Sequence, residues 1–263
     1  MNCLIYTGVF IKKDYIDLLY LLLKSYASYG YSKDFMKKNN LSFLVICCTT
    51  LIDDVLKIKR LLWRLNILIW PVKINNNVHG FQQTLEACFY RYRIFEWDHI
   101  LKYDRILYLD TDILITNKIS NILEVDPKNK IYVLAENDTT DYIHGSELFK
   151  PNPKVSAFTS GIILFNKCLE IKKLFDDIMT HAYWSFKTNT HLVRGYDQPF
   201  TVYHAIKNNL YDNTKLEKIA INNPKIFEGH TICHFPGPFV GQGNVKNTAM
   251  TRFLQKNAKK LSE

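Results

Sequence analysis

The stretch Ile106-Leu107-Tyr108-Leu109-Asp110-Thr111-Asp112 is an apolar run without internal charge that ends in two carboxylates two residues apart. Side chains alternate faces along a strand, so Asp110 and Asp112 project the same way and can converge on one cation. Carboxylate oxygens suit hard ions such as Mg²⁺ and Mn²⁺, which keep open positions for diphosphate oxygens. A strand ending in Asp-x-Asp is thus a candidate nucleotide-metal site. The plainer alternative is a turn capped by Asp112 with Asp110 solvated.

A strand of this kind needs a sheet around it, and the rest of the chain supplies one. Short apolar runs rich in β-branched residues alternate with longer segments of helical period. Strands are predicted at residues 3–7, 41–49, 67–70 (closed by Pro71), 105–110, 131–135 and 161–165. Helices are predicted at about 14–29, 52–64, 84–101 and 169–184. Strands separated by helices imply βαβ units and a mainly parallel α/β sheet, with ligands bound beyond the carboxyl ends of the strands. No linker, composition break or internal repeat divides the 263 residues, so one domain spanning 1–263 is expected.

Composition narrows the function classes. With 47% hydrophobic and 14% aromatic residues, the chain has ample apolar surface for a core, which excludes disorder. The net charge of +9 admits nucleic acid, a membrane surface or a phosphate-bearing substrate. Its basic residues are scattered, however, and the recurrent Lys, Asn and Ile of segments such as Lys37-Lys38-Asn39-Asn40 read as the imprint of an AT-rich genome, of the kind carried by large DNA viruses and protists. No nucleic-acid partner is expected. The six cysteines form no CxxC pair, several lie in apolar runs, and no signal peptide or membrane-length apolar run is evident, so a cytoplasmic protein without a membrane partner is expected.

Four further segments agree, in order, with one family. The stretch from Tyr90 to Trp97 followed by 101–112, then Phe158-Thr159-Ser160-Gly161-Ile162-Ile163-Leu164-Phe165-Asn166, Gly195-Tyr196-Asp197-Gln198 and His234-Phe235-Pro236-Gly237 together resemble glycosyltransferase family 8, the group that contains glycogenin and bacterial galactosyltransferases. The resemblance implies a GT-A fold, a UDP-sugar donor, Mn²⁺ (or Mg²⁺), and transfer of a hexose with retention to a protein or glycan acceptor. It implies Asp110, Asp112 and His234 as metal ligands; imidazole beside carboxylate suits manganese. It places Asp197 and Gln198 beside the transferred sugar as the catalytic pair, and Arg93, with Arg91 as the second choice, against the donor. Thr111, Ser160, Gly161, Gly237 and Asp138 are expected at the donor, and Thr7 and Tyr15 at uracil and ribose. Thr159 stands where the family has asparagine, and Val240 where it has a lysine. Lys246, carried by a glycine-rich loop, is expected to replace that lysine at the diphosphate. Homodimers occur among such proteins and are a possibility here.

Two other readings compete. A nucleotidyltransferase would show a glycine-rich basic loop after the first strand, and Gly8-Val9-Phe10-Ile11-Lys12-Lys13 has a single glycine. A catalytically silent scaffold that binds sugars or proteins would have lost metal ligands, and all three are present.

Overall fold

The computed structural model describes residues 1–10, 12–74, 86–138, 156–188, 190, 196–236 and 243–261, the side chains of 137, 138, 243 and 244 excepted. The chain opens with β1 (Asn2–Val9), α1 (Asp14–Ser25), α2 (Lys33–Lys38), β2 (Asn40–Cys48), α3 (Ile52–Leu61) and β3 (Ile67–Val72). β1 pairs in parallel with β2, and β2 with β3, as expected of βαβ units. The runs Cys3 to Tyr6 and Leu41 to Cys48 are buried throughout, as strands covered on both faces must be.

Two expectations change here. α1 ends earlier than predicted and passes into a π-helical turn, Tyr26–Gly30, where a Cβ on Gly30 would lie 2.6 Å from the Tyr26 ring and 2.7 Å from Ile115. Pro71 sits inside β3 instead of closing it; β3 is the edge strand, where a residue without an N–H leaves no ladder bond unmade.

The predicted helix at 84–101 lies partly outside the described residues, and the remainder is tighter than α. Residues 86–89 are helical, followed by 3₁₀ turns at Tyr90–Glu96 and Ile100–Lys102. Phe89, Tyr90, Tyr92 and Ile94 are all buried, so the apolar residues form no single stripe of α period, and short 3₁₀ turns distribute them among several neighbours.

β4 (Arg105–Leu109) lies in parallel beside β1, then β5 (Ile113–Ile115) and α4 (Ser120–Leu123) lead to β6 (Ile131–Asp138) and β7 (Ser156–Phe165). β7 runs antiparallel to both β4 and β6. After α5 (Leu169–Thr188) and α6 (Gln198–Lys207) come β8 (Tyr211–Asp212), β9 (Ala220–Asn222), β10 (Ile232–His234) and α7 (Gly243–Leu261). Among the described residues the main sheet has the order β3-β2-β1-β4-β7-β6-β8, and a second sheet has the order β5-β10-β9. The strand order reverses direction between β1 and β4, the place where open α/β sheets leave a crevice.

The main core surrounds the larger sheet. A smaller cluster of Leu18, Leu114, Cys233, Phe235, Met250 and Phe253 ties α1, β5, β10 and α7 together. This second cluster seats α7 against α1, β5 and β10, and Lys246 in its first turn reaches Asp112. All six cysteines are free thiols, and Cys3, Cys47, Cys48 and Cys233 are buried. No helix among the described residues is long and apolar enough to cross a membrane.

Candidate active site

β4 ends at Leu109, and the turn that follows carries Asp110, Thr111 and Asp112 into β5. The backbone is held on both sides: Asp110 N–H donates to Gly161 O at 2.9 Å, and Phe235 N–H donates to Asp112 O at 2.9 Å. His234 arrives from the second sheet, paired with Ile113 on β5. One ligand atom from each of Asp110, Asp112 and His234 lies within 4.8 Å of the others, so a turn and a strand far apart in sequence converge on one point.

The space between these atoms fits a cation. His234 Nε2 lies 3.4 Å from Asp112 Oδ1, and that buried oxygen has no hydrogen-bond partner among the described residues. A Cβ built on Gly161 would stand 2.7 Å from His234 Cε1, 2.8 Å from Asp110 Oδ2 and 2.9 Å from His234 Nε2, so glycine keeps open the gap that the ligand atoms face. Burial alone would raise the Asp112 carboxyl, but His234 and Lys246 beside it hold it well below the usual carboxylate range. It stays ionised, as a ligand must. Two carboxylates and an imidazole make a donor set that can coordinate a divalent metal.

Lys246 Nζ is paired with Asp112 Oδ2. It stands in the first turn of α7, not on a loop, and residues 237–242 of the expected glycine-rich segment, Gly237 included, lie outside the described residues. Burial opposes the Lys246 charge, yet the adjacent Asp112 and Asp110 carboxylates raise its pKa above the ordinary lysine value. Tyr15 is also close enough to interact with Lys246 electrostatically.

Of the two arginines expected at the donor, the second choice is the one that lies against the cluster. Arg93 points away from the cluster: its guanidinium pairs with Glu96 at 2.6 Å and lies 4.9 Å over the Tyr90 ring. Arg91 is the one turned inward, because the 3₁₀ turn places residues 91 and 93 on different faces. Its guanidinium lies 3.1 Å from Asp110 Oδ1, 3.6 Å from Asp197 Oδ2 and 4.5 Å over the Tyr108 ring, and donates to Ser160 O at 2.8 Å.

Asp197 is buried at the start of α6, after Tyr196 in the left-handed region at φ 58°. Tyr92 donates its hydroxyl to Asp197 Oδ2 at 2.7 Å. Burial raises the Asp197 carboxyl above its ordinary value, although Arg91 and the Tyr92 hydrogen bond oppose the rise. Gln198 Oε1 accepts from Ser160 N–H at 3.4 Å, and Gln198 Nε2 donates to Glu136 Oε2 at 2.6 Å. Ser160 and Thr111 are buried. Thr7, near the end of β1, is buried with its hydroxyl unpartnered among the described residues. Asp138 closes β6, but its side chain lies outside the described residues.

Sequence reasoning missed Glu136, Asn222 and Tyr108. Tyr108 had a signal, since it shares a strand face with Asp110 and donates to Asp110 Oδ1 at 2.5 Å. Asn222 is the register partner of His234 on parallel β9, and no local motif marks it. Glu136 stands where β6 and β7 lose register, and sequence pattern does not reveal such an irregularity.

Comparison with known proteins agrees with this architecture. A crystal structure of the galactosyltransferase LgtC in complex with donor and acceptor sugar analogs superposes with a TM-score of 0.63 at 14% identity, covering 96% of each chain. The apo form of mouse xyloside xylosyltransferase 1 gives 0.64 at 14% identity, covering 89% of this chain and 98% of that one. The apo WbbM bifunctional glycosyltransferase gives 0.60 at 12% identity, covering 89% of this chain and 45% of that one. At such identities the likeness establishes the fold, a GT-A fold with a mixed, mainly parallel central sheet flanked by helices. No curated protein sequence matches. The family Glycosyl transferase family 8 matches residues 12–208, most of the chain, and the protein belongs to that family.

Proposed function

We propose that the protein is a retaining hexosyltransferase that moves glucose or galactose from a UDP-sugar to a protein or glycan acceptor, with Mn²⁺, or Mg²⁺ in its place, held by Asp110, Asp112 and His234. The observation that carries this reading is the convergence of those three side chains around the gap beside Gly161, with Asp112 Oδ1 left unpartnered. A divalent ion bound there supplies Lewis-acid neutralisation of the charge that builds on the departing diphosphate.

The chain's own residues do the rest. Lys246 turns from Asp112 to the diphosphate and places a second positive charge on the leaving group. The Thr7 hydroxyl and Tyr15 flank the uridine at the end of β1. Thr111, Ser160 and Gly161 line the donor, and Gly237 and Asp138 are assigned to it by the family motif alone. Arg91, in place of Arg93, holds Asp110 and Asp197 at fixed separation. Asp197 and the Gln198 amide face the sugar, the carboxylate accepting from its hydroxyls. The acceptor hydroxyl adds to the anomeric carbon on the face that UDP leaves, and its proton passes to the departing diphosphate. The six free thiols suit a reducing compartment such as the cytoplasm.

UDP release from a panel of UDP-sugars, with Mn²⁺ or with chelator, tests the proposal. Mn²⁺-dependent turnover of one donor, abolished by Asp112→Ala, is the expected result. No UDP binding and no turnover with any metal would leave a silent scaffold as the better reading.

A further inference from the structure

An unbroken chain of hydrogen bonds crosses the site from Ser160 to His234. Ser160 N–H donates to Gln198 Oε1 at 3.4 Å, and Gln198 Nε2 donates to Glu136 Oε2 at 2.6 Å. On the other side, Asn222 Nδ2 donates to Glu136 Oε1 at 3.3 Å, and Asn222 Oδ1 lies 2.8 Å from His234 Nδ1. The five members come from β7, α6, β6, β9 and β10. The backbone provides for both sides. Asn222 and His234 are register partners, and one extra residue on β6 between Ala135 and Asp138 breaks its register with β7, the kind of bulge that re-aims a side chain.

The polarity of this chain is decided at its middle. A carboxylate accepts at both oxygens and donates at neither, so each neighbour must present an NH₂ group to it. Asn222 must then turn its carbonyl toward His234, which requires a proton on Nδ1 and makes Nε2 the nitrogen through which the ring can meet a cation. Nε2 is the atom that faces Asp112 and the gap at Gly161. By the same logic the Gln198 carbonyl must face Ser160 N–H. We infer that Glu136 is a positioning residue whose single carboxylate fixes both the tautomer of His234 and the amide orientation of Gln198. The functional value of this arrangement rests on the reading of His234 as a metal ligand and Gln198 as a sugar contact. The polarity itself rests only on the hydrogen bonds.

Glu136→Gln leaves one acceptor facing two NH₂ groups, and Asn222, held at 3.3 Å against 2.6 Å for Gln198, is the neighbour that turns over. When Asn222 turns, its NH₂ meets His234, the ring proton moves to Nε2, and that nitrogen cannot ligate. Adding Asn222→Asp repairs the chain at unchanged total charge. The new amide donates to the new carboxylate, which accepts from His234 Nδ1–H, and the new amide's carbonyl still accepts from Gln198.

The test is ring ¹⁵N NMR of His234 in metal-free protein, with Mn²⁺ titration alongside. Wild type should show the Nδ1–H form. E136Q should show an Nε2–H population and bind Mn²⁺ about 10- to 100-fold more weakly. E136Q/N222D should return to within about threefold of wild type in Mn²⁺ affinity. A wild-type tautomer in E136Q, or a double variant that binds no better than E136Q, overturns the inference. Where E136Q does not fold alone, melting decides: the inference requires the double variant to melt near wild type, and a double variant that also fails to fold overturns it. A wild-type protein with the Nδ1–H form that ignores Mn²⁺ would instead refute the metal reading and leave the tautomer result standing.

Discussion

The Arg91 guanidinium lies 3.1 Å from Asp110 Oδ1 with the Tyr108 ring 4.5 Å beneath it, and its other face reaches Asp197 at 3.6 Å. One cation therefore sits between two acids of the site, largely shielded from water. Arg91→Met should leave the buried Asp197 unpaired and cost about 3–5 kcal/mol in denaturant melts. Arg93→Ala, which removes only a partly exposed pair with Glu96, should cost under about 1 kcal/mol and leave donor turnover unchanged. Equal losses in the two variants would contradict the assignment.

Gly161→Ala tests the gap at the cluster. The added methyl meets His234 and Asp110 at less than 3 Å, in the space where a cation fits. Mn²⁺ affinity should fall about tenfold or more, while the melting temperature moves much less. Unchanged affinity by calorimetry would place the ion elsewhere.

Lys246 has two roles of opposite sign. Its ammonium is paired with Asp112, so under the proposed function it competes with the cation for that carboxylate until a diphosphate draws it away. Lys246→Ala should tighten binding of Mn²⁺ alone by several-fold to about tenfold, yet weaken UDP binding in the presence of Mn²⁺. A variant that loses both affinities would show the lysine to be structural.

The His181–His204 pair gives a pH prediction away from the cluster. His181 Nδ1 lies 2.9 Å from His204 Nε2 beside a cavity of about 410 Å³ that Asp177, Lys207 and Trp184 also line. Burial, then the neighbouring His181 and Lys207, push the His204 pKa down from 6.5 to about 4. Between those values the unfolded chain binds a proton that the folded chain refuses. Stability should be intact above pH 6.5, fall by at most about 1.4 kcal/mol per pH unit below it, and cease to fall on this account near pH 4. His204→Gln should flatten that part of the stability profile in urea titrations.

The first half of the fold was legible because β1 and β2 are buried on both faces and α1 and α3 each have one apolar stripe. β2 differs from its predicted span by one residue at either end; Asp110 and Asp112 were picked out as Asp-x-Asp after an apolar strand, but they converge from the turn beyond Leu109 and not by strand alternation. His234 required the family motif, since its place depends on pairing with β5 and β9. Arg93 was preferred to Arg91 because the extra residue before Tyr103 shifts the match to the family motif by one or two positions, and on any helical turn two positions is a different face. Lys246 does lie against Asp112, but on a helix where a loop was expected. α7 owes its position to Met250 and Phe253 packing on α1 and β10, a tertiary contact that no local pattern announces.

The small sheet also sets a schedule for biosynthesis. β5 has its partner only once β10 has been translated, and β10 is followed closely by the helix that seals it. A ribosome-bound chain can complete most of the large sheet while Asp110 and Asp112 still lack their imidazole. The three side chains therefore come together only after β10 has paired with β5, and a product lacking β10 could assemble much of the scaffold without that cluster. Slow, non-local closure of this kind ties the cluster to the distant segment that carries β10.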